Sequence, residues 1–96
     1  MAQSKDGVVK TWLAYILKMN DESLYTGATN DLKHRVNTHA RGKGSKYVRS
    51  RLPIKEIYVG EMLTKLDALK LEREIKKLKK EDKIERLFKG LMSSSQ

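Results

Sequence analysis

An α+β domain, with a small three-stranded antiparallel sheet flanked by helices, is the fold class this sequence predicts. Short runs rich in apolar, β-branched and aromatic residues occur at 11–18, 24–29 and 54–59. Between and after them, apolar residues recur at helical spacing. The length of 96 residues suits one compact domain. A core this small is marginal, so each apolar face must be used.

The first run, Thr11 to Lys18 (TWLAYILK), reads as a buried strand. Met19 to Ser23 is a polar turn of hairpin length, so Leu24 to Thr29 returns as an antiparallel neighbour. Asn30 or Asp31 can cap the next helix by accepting a free backbone N–H. Leu32, Val36, His39 and Ala40 form that helix's expected inner stripe, and Gly42 ends it. Pro53 precedes the third strand, Ile54 to Val59. Thr64 and Asp67 offer a capping pair for a long helix with Ala68, Leu71, Ile75 and Leu78 as its seam. A last helix is expected from Lys80 to Phe88, with Ile84, Leu87 and Phe88 facing inward. The predicted order is β-β-α-β-α-α, without repeats or a linker. The domain is expected over 11–88, between a flexible N-terminus, 1–10, and a flexible tail, 89–96.

Composition removes several function classes. Without cysteine there is no disulfide frame, thiolate nucleophile or thiolate metal site. Residues 1–10 lack the apolar stretch of a signal peptide. No run of about 18 apolar residues occurs, so no membrane-crossing helix is expected. A cytoplasmic location and no membrane partner are the corresponding expectations.

Twenty-one Lys and Arg against 12 Asp and Glu give a formal charge of +9. Such a field attracts polyanions, although solvated surface lysines produce the same number. The distribution is more informative. Arg41, Lys43, Lys46, Arg49 and Arg51 lie in one segment without an acid, together with Gly42, Gly44 and Tyr47. Cations, flexible backbone and one stacking ring suit a loop that grips phosphates. An anionic membrane fits less well, because the segment has no amphipathic apolar face.

The remaining candidates form an ordered set. Tyr15 lies on the first strand, and Tyr25 on the second, two residues before Gly27. Arg35 and His39 are four apart and share one face of the first helix. Glu72 lies beside the seam of the long helix. Taken singly, each has an ordinary explanation. Strand tyrosines are common core residues, and His39 beside Val36 could be a half-buried structural histidine. Glu72 with Lys76 could be an i,i+4 pair contributing about 0.2–0.5 kcal/mol.

Taken together, the residues resemble the GIY-YIG nuclease superfamily, including the N-terminal domain of UvrC-type repair nucleases and some intron-encoded endonucleases. Ala14-Tyr15 matches the end of the first triplet and Tyr25-Thr26-Gly27 the second. Arg35, His39 and Glu72 follow in the expected order, and the run LYTGATNDLKHRVNTHARGKG looks like small stand-alone bacterial members. The chain departs from the pattern at Leu13, where the glycine of the first triplet would stand, and at Thr26, which replaces isoleucine. No asparagine follows Glu72, where some family nucleases carry one.

The resemblance implies metal-assisted phosphodiester hydrolysis on nucleic acid, DNA in preference to RNA, in a process such as repair or recombination. A tyrosine, Tyr15 or Tyr25, would be the general base, and an ordinary phenol needs help for that task because its pKa is about 10. Arg35 would grip phosphate oxygen, and His39 would orient water or a tyrosine or share the proton. Glu72 would hold Mg²⁺ or Mn²⁺, weakly until substrate phosphate joins the shell. Gly27 would let backbone approach the site closely. Arg41, Lys43, Lys46, Tyr47, Arg49 and Arg51 would bind the nucleic acid. A non-catalytic nucleic-acid-binding or adaptor module on the same fold is the alternative.

Overall fold

The computed structural model describes residues 9–93. Most of the expected flexible N-terminus, 1–8, and the last three residues of the expected tail lie outside that range. The elements are β1 (Leu13–Met19), β2 (Leu24–Thr29), α1 (Leu32–Ala40), α2 (Lys46–Arg49), β3 (Ile54–Val59), α3 (Lys65–Lys76) and α4 (Lys80–Ser93). The expected order holds, with one addition: α2 lies inside the segment expected to be a flexible loop. Ser45 caps this turn, its Oγ accepting from the Val48 N–H at 3.2 Å, while Val48 is fully buried.

The sheet is antiparallel, in the order β2-β1-β3. Central β1 is covered on both faces, which is why its sequence is nearly continuously apolar. Leu13, Tyr15, Leu17 and Met19 face a core completed by Val48, Leu32 and Val36 of the α1–α2 layer. Ala14 and Ile16 face the other core, with Leu71, Ile75 and Leu87 from α3 and α4. Edge strand β3 is less covered, so Ile57 and Val59 remain 43% and 37% exposed.

Local signals explain the helix ends. Asp31 caps α1, accepting from the His34 N–H at 3.1 Å, while Thr29 Oγ1 accepts from the Asp31 N–H at 3.0 Å. At the other end Gly42 adopts a φ of 75°. Its N–H reaches the His39 carbonyl and the Lys43 N–H reaches the Thr38 carbonyl, both at 3.0 Å. This crossed pair is the Schellman arrangement, which favours glycine at its left-handed position. The Thr64 hydroxyl accepts from the Asp67 N–H at 3.1 Å, starting α3 as the sequence predicts.

The structure departs from the sequence expectations in three details. The first strand begins at Leu13 and runs through Met19, with an irregularity at Lys18/Met19 where it pairs with β3. Ala40 is exposed, because α1 turns only Leu32, Val36 and His39 toward the sheet. Helix α4 continues to Ser93, and its Phe88 is 41% exposed, packing edge-on against Tyr58 at the border of the sheet. Trp12, just before β1, is half-buried, with Lys65 Nζ 5.4 Å from the ring centroid.

Candidate active site

The β1–β2 register places the tyrosines. Tyr15 stands opposite Gly27, and Tyr25 stands opposite Leu17. Cross-strand partners share a face, so both tyrosines lie on the α1–α2 side. Tyr15 extends across β2 over the bare Cα of Gly27. A Cβ there would lie 2.5 Å from the Tyr15 hydroxyl and 2.6 Å from ring carbon Cζ. Gly27 thus makes room for the Tyr15 ring, and the hydroxyl reaches toward the β2 edge.

At that edge the hydroxyl meets His39. Tyr15 Oη and His39 Nε2 are 3.2 Å apart, and both residues are buried. The Tyr25 ring packs edge-on against the imidazole, with centroids 5.1 Å apart, and lies 6.5 Å from the Tyr15 ring. His39 Nδ1 is buried without a hydrogen-bond partner. Gly44 backs the imidazole so closely that a Cβ at that position would collide with Nδ1. Gly44 therefore closes the site, a role that its place in a basic segment does not reveal. The sequence signal for it is a second glycine soon after the glycine that ends α1.

Electrostatics tie two further residues to this point. Burial, followed by repulsion from Tyr25, pushes the Tyr15 phenol far above its ordinary value. The Arg35 charge opposes that shift, and the Glu72 charge adds to it. His39 is held below the ordinary imidazole value by burial and then by Arg35, so the Tyr15–His39 pair is a neutral phenol beside a neutral imidazole. Glu72 comes from α3, on the other side of the sheet. Because β2 is an edge strand, side chains from both layers can act on one hydroxyl beyond it.

Arg35 is exposed on α1, as an arginine that meets a phosphate must be. The Glu72 side chain is 20% exposed, with Oε2 3.0 Å from Lys76 Nζ. Among the described residues, no three His, Asp or Glu side chains converge to hold a metal. A lone hard-oxygen donor still fits Mg²⁺ or Mn²⁺, which can keep several waters and take substrate oxygens. It does not fit a tightly held resident metal. Leu13 and Thr26, the departures from the triplets, are both buried. Thr26 lies opposite Ile16, facing the α3–α4 core and away from the tyrosines.

The basic segment divides into two groups. Arg41, Lys43, Lys46 and Arg49 are exposed. Arg51 is already engaged, with its guanidinium 3.8 Å from the Tyr47 ring centroid and Nε 3.5 Å from Asp21 Oδ2. It also donates to the Tyr47 carbonyl and the Ser50 hydroxyl, each at 3.1 Å. Tyr47 is 37% exposed, and its ring centroid lies 6.0 Å from that of Tyr25.

Comparison with known proteins identifies the family. Residues 11–85 match the family model of the GIY-YIG catalytic domain. A UPF0213 protein of Oceanobacillus iheyensis is 46% identical over 70 residues, covering 73% of this chain and 81% of that protein. A UPF0213 protein of Staphylococcus epidermidis is 43% identical over 76 residues, covering 79% and 93% respectively. The solution NMR structure of a UPF0213 protein from Bacillus halodurans has 35% sequence identity and a TM-score of 0.42, covering 86% of this chain and 84% of that one. With the family model spanning most of the chain, and relatives that share their length with it, this protein belongs to the GIY-YIG family of nuclease-type, nucleic-acid-processing domains.

Proposed function

We propose that this domain hydrolyses phosphodiester bonds in DNA with the help of Mg²⁺ or Mn²⁺. One observation carries the reading. The Tyr15 hydroxyl lies 3.2 Å from His39 Nε2, and the charges of Arg35 and Glu72 both act on it. The reading takes these four residues, from β1, α1 and α3, to work together beside the Tyr15 hydroxyl.

A buried phenol with a raised pKa is a poor base unless it loses its own proton as it gains another. The neutral imidazole of His39 supplies that outlet. As the Tyr15 oxygen takes a proton from the attacking water, the phenolic proton passes to Nε2, leaving imidazolium and a neutral phenol. Tyr15 has no exposed surface, so the water reaches it only when substrate moves the side chains above it. Tyr25, which is half-buried, meets solvent first and steadies the water or phosphate. Arg35 grips a non-bridging phosphate oxygen and stabilises the charge that develops there. Glu72 would hold the metal ion, which, when bound, stabilises the leaving oxygen. Arg41, Lys43, Lys46 and Arg49 lie exposed to hold the strand, with Tyr47 beside them. Arg51 contributes mainly by holding Tyr47.

The test is cleavage of branched, nicked, single-stranded and duplex DNA with Mg²⁺ or Mn²⁺. Wild type is expected to cut at least one substrate. Arg35→Ala and Glu72→Ala should each lower the rate by about 100-fold or more, the scale of losing one charge-stabilising group. Equal cutting by wild type and both variants would sink the assignment.

The absence of an asparagine after Glu72 motivates the second reading, a binding or adaptor module. It predicts metal-independent, salt-sensitive binding without turnover. That binding survives Glu72→Ala and weakens when Lys46 and Arg49 are neutralised.

A further inference from the structure

The geometry points to a second phosphate-binding station beside the reactive edge, formed by Lys80 and Lys83 with Tyr47, which holds a neighbouring phosphodiester of the strand being processed. This assignment rests on the nucleic-acid reading of the site above. It adds residues from α4, outside the basic segment from Arg41 to Arg51.

The station is a concavity of about 230 Å³ lined by Asp21, Ser23, Leu24, Tyr47, Lys80 and Lys83. It is smaller than the about 300–1,000 Å³ of sites for drug-sized ligands, so it suits one phosphate with part of its nucleotide. Like the reactive point, it takes residues from both layers at the β2 edge. Tyr47 belongs to the α1–α2 side, Lys80 and Lys83 belong to α4, and the hairpin residues lie between them.

A chain of rings joins the two places. Tyr15 and Tyr25 have centroids 6.5 Å apart, and Tyr25 and Tyr47 have centroids 6.0 Å apart. A strand whose scissile phosphate lies at Arg35 and the tyrosine pair therefore has an adjoining station one ring farther along the edge. Tyr47 is fixed for this use by Arg51 across its ring.

The charge balance favours an anion. Asp21 is the one acid in the lining, and its carboxylate is already committed to the Ser23 backbone N–H and to Arg51. Lys83 donates one hydrogen bond, at 2.9 Å, to the Ile75 carbonyl, leaving two of its ammonium protons for a ligand. Burial, and then the nearby Lys76 charge, lowers the Lys83 ammonium below the usual lysine range. A phosphodiester would relieve that crowding of positive charge. Lys80 is exposed, and no ion pair engages it among the described residues.

The decisive experiment measures binding of a fluorescein-labelled twelve-nucleotide DNA strand across a salt series, without divalent metal. It uses the full chain, Lys80→Gln, Lys80→Glu and Lys46→Gln. Lys80 is exposed, so the thermal midpoint should stay near that of wild type, which also checks folding. Lys80→Gln is expected to weaken binding about threefold to tenfold and to reduce the salt slope by about 0.7, the loss of one phosphate contact on a single strand. Lys80→Glu should weaken it further. If both Lys80 variants bind within twofold of wild type with an unchanged slope while Lys46→Gln binds more weakly, the station is overturned and the nucleic-acid reading stands. If wild type itself binds no strand at low salt, both are overturned.

Discussion

Tyr15 and His39 show how one contact can decide the meaning of two residues. An isolated strand tyrosine is a poor base, and an isolated helix histidine is commonly structural. Joined at 3.2 Å and buried together, they form the contact on which the proposed proton relay rests. Gly27 makes the pair possible. Gly27→Ala should cost about 1–3 kcal/mol, because its Cβ must displace a buried ring. Urea unfolding measures that cost, and histidine NMR should report the disturbed His39 environment. The pair also predicts a pH effect. Because folding depresses the His39 pKa, its stabilising contribution is complete above the unfolded value near 6.5 and is lost as pH falls through the folded value. Urea midpoints for wild type should therefore fall between pH 7.5 and pH 5, and His39→Gln should lack that component.

Short-range chemistry at their ends sets the positions of the elements. Asp31 starts α1, and Gly42 stops it with crossed hydrogen bonds from residues 42 and 43. Arg35 and His39 are thereby fixed one turn apart between two capped ends. Asp31→Ala should destabilise the fold by about 0.5–2 kcal/mol, measurable by chemical denaturation. It should also loosen α1, seen as faster amide exchange there than in α3. Helix α2 is the counterexample, because four residues carry too little periodicity to be read as a helix. Its anchors are Ser45 and Val48, a cap and a single buried side chain. Those anchors turn the expected flexible loop into a folded corner that supports Tyr47 and places Gly44 against His39.

At the scale of the whole molecule, β1 joins two cores, so neither layer is expected to unfold alone. Leu87→Ala, in the α4 contribution to the second core, should cost about 2–5 kcal/mol and lower the melting midpoint by about 10 °C or more. Trp12 fluorescence and far-UV circular dichroism should still report one coincident transition. Helical layers on opposite faces can share a point only beyond a sheet edge, and the proposed function takes β2 as the edge where Arg35, His39 and Glu72 work together. No helix in the described residues is long and apolar enough to cross a membrane, and the formal charge of +9 accords with a nucleic-acid-processing family.

The strand and helix order, the cap at Thr64, a cap at Asn30 or Asp31, and the residues that carry the family resemblance were legible in the sequence. Each depends on local periodicity or on a short-range hydrogen bond, and such signals survive in a linear string. The Tyr15–His39 contact spans 24 residues, and the closure by Gly44, the engagement of Arg51 with Tyr47 and Asp21, and the concavity shared by Tyr47 and α4 are also tertiary. They depend on which strand lies at the edge and on how closely the two layers approach there. Packing decides both, and no local pattern in the sequence records them.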